Sequence, residues 1–227
     1  MVFVVTGCSK GIGYELVKLL SLDNMVYCIS RNDTAIKKLK SEVSNSKNIS
    51  FFKGDVSKLD LNQISQWIKD EKVDVLINNA GVLINKPFID QSYEDYKNTM
   101  DVNFYGVLNM THLLVSKLEK AKGQIVNIGS VGGVQGSVKY PGLSVYSSSK
   151  GAVSILTECL AIELEEKNIK INCLALGAVQ TEMLNKAFPG YKAKITAIQM
   201  AEYIINFIYN GSNLSNGLII PVTLSNP

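Results

Sequence analysis

Met1-Val2-Phe3-Val4-Val5-Thr6-Gly7-Cys8-Ser9-Lys10-Gly11-Ile12-Gly13 is the stretch on which the fold of this 227-residue chain turns. An apolar run that breaks into glycines and continues helically, with Ile12, Leu16, Leu19 and Leu20 on one side, reads as strand, tight turn and helix N-terminus. Gly7 can take the positive φ of a sharp turn, Gly11 lets the backbone approach a ligand, and Gly13 lets the helix pack against the strand. The free N–H groups and positive dipole end of that helix make the loop, Ser9, Lys10 and Ile12 included, a candidate site for a phosphate or pyrophosphate. Its spacing is G-x-x-x-G-x-G and not the commoner G-x-G-x-x-G, and a plain structural turn is the competing reading.

Strands and helices alternate from there to the end. Apolar runs predict strands at 25–30, 49–53, 73–77, 124–128, 169–176 and 218–222. Helical patterns fall from Asn32 or Asp33, either of which can cap, to about Val43, and over 59–69, 95–120, 145–167 and 197–209. The pattern implies one domain over 1–227, an α/β parallel sheet of about seven strands, doubly wound, with helices on both faces. Two long connections, after Gly81 and after Gly177, follow the carboxyl ends of strands, the edge where such sheets bind ligands.

Hydrophobic residues at 46% and charged residues at 19% describe an ordinary globular chain. A net charge of +3 without a basic cluster interleaved with aromatics gives no reason to expect nucleic acid as partner. Cys8, Cys28, Cys159 and Cys173 form no C-x-x-C pair and His112 is the only histidine, so no metal is expected. The cysteines read as buried or loop thiols of a reducing compartment. The first apolar run is too short for a signal peptide and no stretch approaches the roughly 20 residues of a membrane span, so no membrane partner and a cytoplasmic location are expected.

Chemistry concentrates at Tyr146 and Lys150, which share a helix face at i,i+4 spacing. A phenol ordinarily titrates near pH 10; an ammonium fixed beside it favours the phenolate and makes it a usable general acid or base. Ser130, at the end of the preceding strand on the same edge, can donate to a substrate oxygen.

Taken in order, Thr6-Gly7-x-x-x-Gly11-Ile12-Gly13, Asp55-Val56, Asn78-Asn79-Ala80-Gly81, Asn103, Ser130 and Tyr146-x-x-x-Lys150 resemble the short-chain dehydrogenase/reductase family, in its main single-domain branch, over nearly the whole chain. The resemblance implies an NAD(P)-dependent oxidoreductase on a Rossmann-type sheet. Carried over by position, Tyr146 gives a proton to the carbonyl oxygen during reduction. Lys150 lowers its pKa and binds the nicotinamide ribose, Ser130 holds the substrate oxygen, and Asn103 supports a water linking Lys150 to solvent. Asp55 and Val56 resemble the pair that holds adenine, Asn79-Ala80-Gly81 the turn under the ribose, and Gly177, Val179 and Thr181 the segment at the nicotinamide amide.

NAD sites usually place a carboxylate at the end of the second strand. Ser30-Arg31 stands there, with Lys10 in the glycine loop, and two cations suit the 2′-phosphate of NADP(H) better than the 2′-hydroxyl of NAD(H). Asp33 falls past the strand and reads as a helix cap. The expected activity is therefore NADPH-dependent reduction of a ketone or aldehyde of small or medium size. A non-catalytic NADP(H)-binding sensor and an NAD-dependent alcohol dehydrogenase are the alternatives.

The chain departs from the family pattern in places. Leu176-Gly177 replaces Pro-Gly, so a more mobile turn is expected. The 130–146 interval is about three residues longer than usual and the 182–195 segment is short, which predicts an open pocket lined by Val131, Tyr140, Met183 and Leu184. Ala152, Val153, Ile155, Leu156, Cys159, Leu160, Ile162 and Leu164 run apolar almost all round their helix, which predicts a homodimer or homotetramer, with Phe104, Leu108 and Leu113 beside it and His112 structural. The 221–227 ending lacks Gly-Gly, which weighs against the tetramer.

Overall fold

A computed structural model of the chain describes residues 1–225. Nine strands and eight α-helices alternate within it: β1 (Val2–Thr6), α1 (Gly11–Leu20), β2 (Met25–Ser30), α2 (Asp33–Glu42), β3 (Ile49–Lys53), α3 (Leu61–Trp67), β4 (Val75–Asn78), α4 (Tyr93–Met100), α5 (Gly106–Ala121), β5 (Gln124–Ser130), α6 (Ser144–Glu163), β6 (Lys170–Leu176), β7 (Val179–Gln180), α7 (Glu182–Ala187), β8 (Ile195–Thr196), α8 (Ala197–Asn206) and β9 (Ile219–Val222). Seven strands form one parallel sheet in the order β3-β2-β1-β4-β5-β6-β9, a doubly wound Rossmann-type arrangement.

The alternation of a strand sends neighbouring side chains to opposite faces. Phe3 and Val5 enter the layer built with Leu16 and Leu20 of α1, Ile36 of α2 and Ile204 of α8. Val4 between them joins the other layer, with Ile64 of α3, Met110 and Leu114 of α5 and Ala161 of α6. Both faces are therefore covered, as parallel strands require. Trp67 packs edge-on against Tyr27 at 5.0 Å and beside Phe52 at 5.3 Å.

Several boundaries differ from the sequence reading. The helix expected over 59–69 is confined to α3, because the Asp60 side chain accepts from the N–H groups of Asn62 and Gln63 and caps it there. Asn32 and not Asp33 caps α2, accepting from Ala35 N at 3.2 Å; Asp33 is the first helical residue and faces Lys53 and Lys37. The 95–120 helix begins earlier, at a capping box closed by Ser92 and Asp95, and is interrupted by a π-type turn over Asp101–Tyr105.

The 145–167 helix stops at Glu163, beyond which a short 3-10 turn leads to Asn168 at φ 55°. The ladder β7·β8 carries no sequence signal, being two residues on each side. Cys8, Cys28 and Cys173 are buried, but Cys159 is neither buried nor in a loop: it lies exposed on α6, near the equally exposed Ile155 and Ile162. No helix among the described residues is long and apolar enough to cross a membrane. Of the 221–227 ending, Asn226 and Pro227 lie outside the described residues.

Candidate functional site

The carboxyl ends of β1, β2, β4, β5 and β6 open into one cavity of about 260 Å³. Gly7, Ser9, Lys10, Gly11, Ile12, Gly13, Arg31, Asp55, Val56, Asn79, Ala80, Gly81, Ser130, Tyr146, Lys150, Gly177, Val179 and Thr181 all line it; of the expected site residues only Asn103 does not.

The glycine loop is fixed by close approach. At Gly7, φ is 73° and an added Cβ would stand 2.6 Å from Ala80 Cα; at Gly13 it would stand 2.3 Å from the Gly7 carbonyl oxygen. Thr6 Oγ1 accepts from the backbone N–H groups of Asn79 and Ala80, and Asn79 Nδ2 donates to the Thr6 and Gly7 carbonyls, so four hydrogen bonds tie the loops after β1 and β4 together. Lys10 supplies no side-chain cap to α1. A cradle that only glycine fits, beside uncapped helix N–H groups, suits the pyrophosphate of a dinucleotide.

Both cations expected at the ribose end are already paired. Arg31 Nη1 lies 3.6 Å from Asp55 Oδ2, and Lys10 Nζ 3.0 Å from Glu182 Oε2. Burial pushes the Asp55 carboxyl up, yet hydrogen bonds from Ser57 N and Oγ together with the Arg31 charge hold it below its ordinary range. Glu182, the first residue of α7, also binds Lys186 at 2.6 Å, and the two lysines lower its pKa.

At the other end Tyr146 lies in the first turn of α6 and Lys150 one turn on, facing Ser130 at the tip of β5. Ser130 Oγ accepts from Gly132 N at 3.2 Å, which leaves its O–H free to donate. Burial raises the Tyr146 phenol, and a hydrogen bond with Ser130 acts against that rise. Burial lowers Lys150 to about 8, with a smaller opposing effect from Cys173.

Contrary to the expectation that Lys150 depresses it, the Tyr146 phenol is raised, and Lys150 is not among the groups that shift it. The Lys150 ammonium donates to the Ile128 carbonyl at 2.8 Å, and burial disfavours charge on both groups. Gly81 leaves space between the lysine and Asn103: a Cβ there would lie 3.6 Å from Lys150 Nζ and 3.5 Å from Asn103 Oδ1.

Asn103 sits fully buried in the π-type turn. Its Oδ1 accepts from Val82 N at 2.8 Å, and its Nδ2 donates to Val82 O at 2.9 Å and to Ser149 Oγ at 3.0 Å. It therefore clamps the loop after β4 to α6.

Contacts between loops border the pocket that the short 182–195 segment was expected to leave open. Asn85 Nδ2 donates to Ala187 O at 2.6 Å, Lys86 N to Gly142 O at 3.1 Å, and Tyr140 and Phe188 meet edge to face at 6.0 Å. Val131, Tyr140, Met183 and Leu184 do line the cavity, as expected. Leu83, Leu143, Glu182 and Phe188 line it too and were not foreseen. Of these only Glu182 carried a signal, as an acid directly after Thr181; the others are apolar residues whose facing depends on loop geometry.

The profile of the short chain dehydrogenase family matches residues 1–192, and the chain belongs to that family. It is an NAD(P)-dependent oxidoreductase. The 3-oxoacyl-(acyl-carrier-protein) reductase of Chlamydia muridarum is 32% identical over 187 residues, which is 79% of this chain and 74% of that protein. Carbonyl reductase (NADPH) 2 of Sus scrofa is 32% identical over 190 residues, covering 79% of this chain and 72% of its own. Among solved structures, ElxO with NADP bound superposes with a TM-score of 0.84 at 28% identity, covering 97% of this chain and 96% of that one.

Proposed function

We propose that this chain reduces a ketone or aldehyde to an alcohol with NADPH, as one catalytic domain over 1–227. The observation that carries the reading is that Ser130, Tyr146 and Lys150 line the same cavity as the glycine cradle. When bound, the reduced nicotinamide supplies the hydride. Ser130 donates a hydrogen bond to the carbonyl oxygen, and Tyr146 gives that oxygen its proton. Burial keeps the Tyr146 phenol protonated at neutral pH, the state a proton donor needs. Lys150 and Asn79 through Gly81 hold the nicotinamide ribose, Val179 and Thr181 its amide, and Asp55 with Val56 the adenine. Asn103 keeps the loop after β4 in place and borders the gap through which a water reaches Lys150.

The preference for NADPH rests on Arg31 at the end of β2, where an NAD-binding site would carry a carboxylate. Each cation would exchange its carboxylate partner for the 2′-phosphate. Initial rates of cofactor oxidation with NADPH and NADH, on the wild type and on Arg31→Asp, test it. Wild-type kcat/KM should favour NADPH at least about tenfold and the variant should lose that preference; an unchanged preference refutes the clamp. The exposed Tyr105, Ile155 and Ile162 support a dimer through α6 and the π-type turn that precedes α5, and a monomeric mass in light scattering at micromolar protein would refute that.

A further inference from the structure

We infer that the substrate is a neutral, apolar carbonyl compound, selected by an aromatic roof that Tyr140 and Phe188 form in the cavity lined by Ser130 and Tyr146. This rests on the reductase reading above and adds to it the chemical class of the substrate.

The roof is built from separate loops and held in place. Tyr140 belongs to the 130–146 interval and Phe188 follows α7, with ring centroids 6.0 Å apart at an interplanar angle of 75°. The loop after β4 pins both. Asn85 binds the carbonyl of Ala187, next to Phe188, and Lys86 N donates to the carbonyl of Gly142, two residues past Tyr140. Gly142 has φ 84°, and a Cβ there would stand 2.0 Å from Asn85 Oδ1, so this join admits only glycine.

The distribution of charge decides what the roof accepts. Among the described lining residues the charged ones are Lys10, Arg31, Asp55, Glu182 and Lys150. The first four pair with one another around the glycine loop and β2, and Lys150 is committed to the Ile128 carbonyl. Nearby cations are also engaged: Lys139 with the carbonyls of Val134 and Ser137 and the Ser137 hydroxyl, and Lys86 with Asp95 at 3.1 Å. The same cavity is otherwise walled by apolar side chains, Leu83, Val131, Leu143, Met183 and Leu184 among them. A carboxylate or phosphate placed there would lose its water and gain no counter-charge, whereas an apolar ring loses nothing and packs edge to face against the roof.

A matched pair of substrates tests this: methyl para-formylbenzoate and para-formylbenzoate, of nearly the same shape, with wild-type protein and NADPH. The ester should have a kcat/KM at least about tenfold higher. Phe188→Arg should narrow that ratio by favouring the carboxylate, and Phe188→Leu should keep the ratio while raising KM for the ester. Equal kcat/KM for the pair in the wild type, or a ratio that Phe188→Arg leaves unchanged, overturns the inference. Binding is followed separately, by calorimetry of the two corresponding alcohols with NADPH-loaded protein. Tighter binding of the ester alcohol without turnover of either aldehyde keeps the selection for apolar ligands and sinks the reductase reading. Equal binding of the carboxylate sinks the inference whatever the turnover.

Discussion

Lys10 in the glycine loop and Glu182 at the first position of α7 lie 3.0 Å apart and join two walls of the cavity by an ion pair. Both side chains are about half exposed, so the pair is weak and easily exchanged. Glu182→Gln should free Lys10 for a 2′-phosphate and tighten NADPH about two- to threefold while leaving NADH unchanged. Fluorescence titration of the nicotinamide reads both constants; weaker NADPH binding in the variant would show that Glu182 orients Lys10 and does not compete for it.

Asn103→Ala removes the acceptor for Val82 N, the donor to Val82 O and the donor to Ser149. Backbone groups left without partners in a buried turn should cost about 2–3 kcal/mol. Calorimetry should then find the melting temperature lower by about 4–12 °C. An unchanged melting temperature would mean that water replaces the amide at no cost.

Lys150 gives the cofactor-free protein a pH signature. Its folded pKa of about 8 lies below the ordinary 10.5, so between these values the unfolded chain holds the extra proton and stability rises with pH. Cys173, raised from 9.0 to about 11, and the buried Cys8, raised well above 9.0, work against this around pH 9 and above, as does Tyr146 above pH 10. The net gain should fall between pH 7 and 9 and amount to about 0.5 kcal/mol. Urea denaturation of wild type and Lys150→Met across that range checks it: the variant should lose the rise, and parallel profiles would refute the assignment.

Gly129 and Cys173 should be coupled. A Cβ at Gly129 would stand 2.5 Å from Cys173 Sγ and 3.4 Å from Ala175 Cα. Gly129→Ala should destabilise by about 1–3 kcal/mol through overpacking. Adding Cys173→Ala should recover more than half of that, a departure from additivity expected only of residues in contact. Strict additivity in denaturation midpoints would rule the contact out as the cause.

The cradle and the i,i+4 pair were legible because each is written in consecutive residues. Gly7 and Gly13 are needed where the backbone turns, and Tyr146 and Lys150 share a face through helical periodicity alone. The clamp by Asn103, the roof and the ion pairs were not. Asn85 and Ala187, which hold Phe188 in place, lie 102 positions apart. The sign of the Tyr146 shift is hidden for the same reason: spacing puts a lysine nearby, but only packing says that its ammonium points to the Ile128 carbonyl.

By itself the sequence determined a doubly wound parallel sheet, the dinucleotide cradle at its edge and the family, because hydrophobic period, glycine placement and motif order are properties of neighbours along the chain. Only the tertiary structure decided which carboxylates engage Lys10 and Arg31, that Tyr140 and Phe188 meet in the lining of the pocket, and how burial weighs on Tyr146 and Lys150. Those depend on distances and desolvation across separate loops, which exist only once the chain has closed on itself.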